Sequence, residues 1–145
     1  MKPEIVLRIG SWQELRDLAT PVRFDVFVSE QGIDPEIEID EADPRSLHCV
    51  ALLGDSVVGT ARLLPDGHIG RMAVRSLFRR HGIGGLMLEC LVDSGFKRGH
   101  ERIVLNAQAY VENFYLHHGF IRDGDRFILE GIEHVRMWRA RPDQD

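Results

Sequence analysis

Between residues 48 and 74 three apolar runs follow one another with almost nothing between them. HCVALL (48–53) and VVGTARLL (57–64) are separated by a Gly54-Asp55 turn, and HIGRMAV (68–74) follows Pro65-Asp66-Gly67. Short apolar runs joined by tight turns form a hairpin that continues as an antiparallel meander. The next run of that kind, RIVLN (102–106), cannot simply extend it. In between, Ile83, Leu86, Met87, Cys90 and Leu91 recur at i, i+3, i+4, i+7 and i+8, one face of a helix. Asp93 and Lys97 pair at i, i+4 on the other side, and Gly99 ends the segment. A connection that holds a helix is long enough to bring the chain back parallel to the strand it left. The sheet is therefore expected to be mixed, a meander with one parallel crossover.

The flanks add to this frame. EIVLRI (4–9) alternates and reads as a first strand. Ser11 is expected to cap a helix, with Glu14 completing a capping box. Pro21 is expected to break that helix, with a second short one over Arg23 to Ser29. VENFYLHH (111–118) reads as a helix closed by Gly119, and FILE (127–130) and EHVRMWRA (133–140) as a last pair of strands. The fold class is α+β, one mixed, mostly antiparallel sheet flanked by helices. With 145 residues, 43% of them apolar, residues 1–145 suit a single domain.

Charge and composition narrow the function. The net charge is −5, which argues against a nucleic-acid partner. The charge is uneven, however. Asp34, Glu36, Glu38, Asp40, Glu41 and Asp43 crowd one segment without a cation, and Arg71, Arg75, Arg79 and Arg80 another without an acid. The first would suit a cationic group and the second an anion. No apolar run is long enough for a bilayer, and Met1-Lys2-Pro3-Glu4 does not open a signal peptide. With Cys49 and Cys90 read as buried free thiols, the expectation is a cytoplasmic protein without a membrane partner. No C-x-x-C, H-x-x-x-H or H-E-x-x-H spacing occurs, so no metal is expected.

The start of the helix after residue 82 is unusual. A helix N-terminus favours Ser, Thr, Asp or Asn as cap and acids nearby. Here stand Arg79, Arg80 and His81, then Gly82-Ile83-Gly84-Gly85. A phosphate loop of the G-x-x-x-x-G-K type is excluded because no Gly-Lys pair exists, and a dinucleotide fingerprint because Met87 replaces its third glycine. What fits is R-x-x-G-x-G, a helix start whose bare N–H groups receive a phosphate. A glycine-rich turn with two solvated arginines is the alternative.

Taken together, several segments resemble the GNAT superfamily of acetyl-CoA-dependent N-acyltransferases. They are Gly70-Arg71-Met72-Ala73-Val74, Arg79 to Gly85, Leu105-Asn106-Ala107, Asn113-Phe114-Tyr115 and Gly119-Phe120. Val26 to Ile33 and Gly131-Ile132-Glu133-His134 are similar to the small bacterial ElaA-like subgroup. The resemblance implies a splay between the two central parallel strands, those of 70–74 and 102–106, with the acyl-pantetheine entering the gap. It implies that acetyl-CoA is held by the backbone of Met72, Ala73 and Val74, by Arg79, Arg80, His81, Gly82, Ile83, Gly84 and Gly85 around the phosphates, and by Asn106 and Asn113. Tyr115 matches the residue that protonates the leaving thiolate, chemistry a phenol can perform as a general acid.

The acceptor would be a primary amine of a small molecule or peptide, attacked in its neutral form in a ternary complex. Candidate bases are Glu30, Glu38, Asp40, Glu133 and His134, with His134 favoured because histidine titrates in the right range. Arg23, Gln31 and Glu133 are pocket candidates through the subgroup likeness. A non-catalytic acyl-CoA-binding regulatory module would keep the cradle and lack an acceptor pocket; a nucleotide-phosphate binder would prefer ATP to CoA. Exposed C-terminal strand edges would permit a homodimer.

Overall fold

The computed structural model describes residues 4–142; residues 1–3, over which a leader was judged absent, lie outside the described residues. The chain runs β1 (Ile5–Gly10), α1 (Trp12–Arg23), a π-helix (Phe24–Glu30), α2 (Pro35–Glu38), β2 (Leu47–Leu53), β3 (Ser56–Leu63) and β4 (His68–Val74). It continues through α3 (Ile83–Lys97), β5 (Arg102–Gln108), α4 (Glu112–His117), β6 (Ile121–Arg122), β7 (Phe127–Leu129) and β8 (Ile132–Ala140). The strands form one sheet in the order β1-β2-β3-β4-β5-β8-β6, with β7 also paired to β8. Among the described residues only β4 and β5 pair in parallel, the pair joined through α3.

Alternation along β2 divides the core into two layers. Cys49 and Ala51 join Met87, Leu88 and Leu91 of α3 on one face. Val50 packs with Leu15 and Ala19 of α1 on the other. Each such fully buried aliphatic side chain contributes about 1.5–3 kcal/mol. Gly59 on β3 leaves the space that Met87 fills; a Cβ there would stand 2.8 Å from Met87 Cε. The stripe on α3 is turned slightly from the expected one: Leu88, Val92 and Gly95 are buried, whereas Leu86 is 49% exposed. The two cysteines are free, and burial pushes the Cys49 thiol up to about 12.

The capping box of Ser11 and Glu14 forms as expected, with Nα of Ser11 donating to Glu14 Oε1 at 3.0 Å and Nα of Glu14 to Ser11 Oγ at 3.2 Å. Pro21, by contrast, does not break the helix. It lies inside α1 on an exposed position, and the chain passes straight into the π-helix instead of a separate short helix. A proline inside a helix removes one bond to the carbonyl a turn back, and here the helix continues past it before the winding widens at Phe24. The wide turn is visible where Gln31 N–H donates to Val26 O at 3.0 Å. The two-residue β6 was not anticipated; it is too short to carry an alternation signal.

Candidate active site

The parallel pair of the sheet is barely a pair. β4 and β5 are in register only at His68–Val104 and Ile69–Leu105, and beyond these positions the strands part. Part of the cause lies on the other side of β4. Thr60 faces Ala73 but Arg62 faces Gly70, so two steps along β3 oppose three along β4. The extra residue makes a bulge, with Arg71 in the left-handed region at φ 48°. That conformation costs a non-glycine residue roughly 1–2 kcal/mol. Offsetting it, the Arg71 guanidinium donates to the carbonyls of Glu38 and Ile37 at 3.1 and 3.3 Å and to Asp40 Oδ2 at 3.3 Å.

A cavity of about 350 Å³ opens where the strands diverge. Met72, Leu105, Asn106 and Gln108 line it from the two arms, and Tyr115 and His134 from α4 and β8. Phe27, of the core layer under α1, and Tyr115, of the layer under α3, both reach it. The opening therefore passes through the sheet. Tyr115 is 9% exposed, and burial raises its phenol well above the ordinary tyrosine value. The His134 ring has Nδ1 at 2.7 Å from the Ile132 carbonyl, an acceptor, so Nδ1–H donates to it and Nε2 is the acceptor of the neutral ring.

Beside the arms stands the unfinished helix start. Gly82, at φ 80°, is the N-cap of α3, with no side-chain cap and no acid in the first turn. The first bond of the helix runs from Leu86 N–H to Gly82 O at 3.1 Å, so the N–H groups of Ile83, Gly84 and Gly85 precede it. Gly84 sits against the aromatic wall: a Cβ there would lie 3.6 Å from Phe114 Cζ. Of the arginines in 71–80, Arg71 is drawn to Asp40, Arg75 to Asp25 and Arg79 to Glu30. Arg80, exposed at φ 69°, has no ion-pair partner among the described residues.

The acidic segment folds inward, onto arginines from outside it. Pro35–Glu38 is a short helix, and Arg23, 1% exposed, donates to Glu38 Oε1 at 2.8 Å and to Asp43 Oδ1 and Oδ2 at 2.7 and 3.1 Å. Arg62 donates to Asp40 and Asp43 at 2.7 and 2.8 Å. The hydrogen bond from Arg62 holds Asp40 down to about 2, against an ordinary 3.8. A carboxylate with a depressed pKa stabilises the fold above its unfolded value and loses that effect as pH falls through the folded one. The stability advantage of the natural chain over Asp40→Asn should accordingly shrink between about pH 4 and pH 2, read as urea midpoints of both proteins across that window.

Adjacent residues at the end of the π-helix tie the two arms. Glu30 accepts Arg79 Nη1 and Nη2 at 2.6 and 2.7 Å, while Arg79 Nε donates to the carbonyl of Val74, the last residue of β4. Gln31 and Gln108, the last residue of β5, exchange amide hydrogen bonds at 3.0 and 3.4 Å. The candidate bases are thereby sorted. Glu30 is held below the usual carboxylate range by Arg79, Asp40 by Arg62, and Glu133 pairs with Arg126 at 3.0 Å on the exposed side of β8. Arg23, Gln31 and Glu133 do not line the cavity; Arg23 and Gln31 stand behind Glu38 and Gln108, which do. Asn106 lines it, whereas Asn113 is exposed on α4 outside it.

Residues 16–140 match the family model of the acetyltransferase (GNAT) domain. The chain belongs to the GNAT acetyltransferase family. Enzymes of this family transfer an acyl group from acyl-CoA, and by family the protein is an acetyl-CoA-dependent N-acetyltransferase. It is 34% identical to the uncharacterized N-acetyltransferase YjcF of Bacillus subtilis over 131 residues, covering 88% of this chain and 93% of that one. Escherichia coli ElaA superposes with a TM-score of 0.85 at 25% identity, over 94% of this chain and all of ElaA. An acyl-CoA N-acyltransferase from Pseudomonas aeruginosa does so at 0.82 and 26%, with the same coverage. The GNAT sheet is the one expected, mostly antiparallel and flanked by helices.

The cavity residues of this GNAT chain differ in how far the sequence marks them. Gln108 carries no local signal. Arg71 does carry one, because the preceding Gly70 sits inside a strand pattern, where glycine often marks a bulge. Among the described residues no group of three or more His, Cys, Asp or Glu is placed to hold a metal ion, and no helix is long and apolar enough to cross a membrane.

Proposed function

We propose that the protein acetylates a primary amine of a small molecule or peptide, with acetyl-CoA and the amine bound together and the acetyl group passing directly between them. The observation that carries this reading is the opening through the sheet, which has Tyr115 and His134 on its walls and the uncapped helix start beside it. The helix start suits the phosphates of CoA: three N–H groups precede the first helical bond, and Gly84 has no side chain to cover them. Arg79 to Gly85 would hold the phosphates, with Arg80 the side chain free to reach one. Met72, Ala73, Val74, Asn106 and Asn113 would hold the pantetheine arm.

When bound, acetyl-CoA supplies an activated acyl group whose sulfur leaves as a thiolate. Tyr115 keeps its proton at neutral pH because its burial disfavours the phenolate, so it can serve as the donor to that sulfur. His134, with Nδ1–H held by Ile132 O, presents Nε2 as the acceptor for the proton an ammonium must lose.

The direct test is a thermal-shift panel of CoA, acetyl-CoA, ATP and NAD, followed by thiol release from acetyl-CoA with a panel of amines. Stabilisation by CoA and acetyl-CoA, not by ATP or NAD, with amine-dependent release is the expected result. Binding without amine-dependent release would instead indicate a regulatory acyl-CoA module. A substitution tests the cradle separately. Gly84→Val should raise the Kd of CoA at least about tenfold, about 1.4 kcal/mol, yet leave the unliganded melting temperature within a few degrees. Titration calorimetry and a melting curve on the same preparation decide it; an effect on folding alone would return the segment to an ordinary turn.

A further inference from the structure

We propose that the acceptor is a diamine or polyamine, whose second ammonium group is received by Glu38 and Glu130 on the cavity wall; this rests on the reading of the cavity as the amine site. The argument begins with the cations of the wall. Arg62 gives Nη1 to Asp40 and Asp43 and Nη2 to Asp40 at 3.0 Å. Arg71 pairs with Asp40 at 3.3 Å and lies 3.5 Å from Glu38 Oε1. Neither guanidinium keeps a free two-point face, which is what a carboxylate takes from arginine. The donors left unmet among the described residues, Arg62 Nε and Arg71 Nη1, are single points on guanidinium groups already paired with acids. An amino acid or other carboxylate-bearing acceptor has no counter-ion here.

The acids of the wall are differently placed. Asp66 Oδ1 accepts from the His68 backbone N–H at 3.1 Å. Glu130 lies at the cavity edge in the β7–β8 turn, at φ 52°, with no ion-pair partner among the described residues. Glu38 is half used. Oε1 accepts from Arg23, but Oε2, on a side chain only 1% exposed, meets no donor. A buried carboxylate oxygen without a donor is a costly vacancy. An ammonium group brings three donors and no acceptor. The apolar part of the wall, which includes Phe27, Ile33, Leu129 and Ile132, suits a run of methylene groups. Glu36 and Glu41, exposed nearby without partners among the described residues, extend the same sign of charge outward and would steer a cation inward.

The experiment compares three four-carbon acceptors: 1,4-diaminobutane, butylamine and 4-aminobutanoate, each with acetyl-CoA. The diamine is expected to exceed butylamine at least tenfold in kcat/KM, and butylamine to exceed 4-aminobutanoate. Equality of diamine and butylamine, or a lead for the amino acid, overturns the proposal. Glu130→Gln and Glu38→Gln should each reduce the diamine-to-butylamine ratio. Because Glu38 is buried against Arg23, Glu130→Gln keeps the test decisive should the other variant fail to fold, and an unchanged ratio in it removes Glu130 from the site. If no amine is acetylated, the proposed function fails on its own. The cation preference is then read from the melting temperature of the CoA complex with each compound, where a shift no larger with the diamine than with butylamine overturns it.

Discussion

Tyr115→Phe should lower kcat about 100-fold or more, the usual worth of a positioned general acid, while the affinity for CoA stays within about twofold of the natural protein. The substitution deletes one oxygen and leaves the packing of the ring intact. Tyr115 meets Phe114 edge-on at 5.0 Å between centroids and Phe120 at 6.0 Å, and phenylalanine preserves both contacts. A fall in turnover is therefore not a folding effect. Thiol release under saturating acetyl-CoA measures the first quantity and titration calorimetry the second. Since burial raises the phenol, the natural enzyme should show no loss of rate from this group through neutral and mildly alkaline pH. Unchanged turnover in Tyr115→Phe would remove the residue from the acid role and leave it as a wall of the cavity.

Arg23→Ala should destabilise the protein by about 3–5 kcal/mol, the range for removing one partner of a buried ion pair. Glu38 and Asp43, 1% and 0% exposed, would both be left buried against the missing charge. The guanidinium also stacks over the Trp12 ring at 5.2 Å. It joins the end of α1 to α2 and to the turn at Asp43–Arg45. Urea unfolding with an unchanged m-value gives the stability difference; a loss below about 1 kcal/mol would mean the cluster relaxes into water when opened. The loss belongs to stability, but any folded fraction should bind its acceptor poorly, because Glu38 would no longer be held on the cavity wall.

How much was legible in the sequence depended on how local the physics is. The meander of 48–74 was readable because alternation and two short turns determine it within a few residues of each other. The start of α3 was readable because a missing cap is itself a local signal. Pro21 misled for the opposite reason: the compensation, a change to wider winding, begins only after it. The acidic run of 34–43 misled as well. Its partners, Arg23, Arg62 and Arg71, lie outside the segment, and nothing within a run of acids shows that long-range cations will fold it inward. The same holds for Gln31 and Gln108, separated by 77 residues. Family likeness marks Tyr115 and late-strand position marks His134, and the fold brings both to one cavity.

The parting of β4 and β5 after two register positions has one more consequence. Most sheets have their edges at the sides, where a neighbouring molecule can add a strand. This one also has a pair of edges in its interior, facing each other across a slot and closed at the far end by Glu30 and Gln31. Backbone donors and acceptors along such a slot invite a guest that is extended, carries amide groups of its own and is about one strand wide. A bulky or branched molecule fails there by shape before any side chain is consulted. Selection by such a slot would act through the main chain, independently of the side chains on the cavity wall.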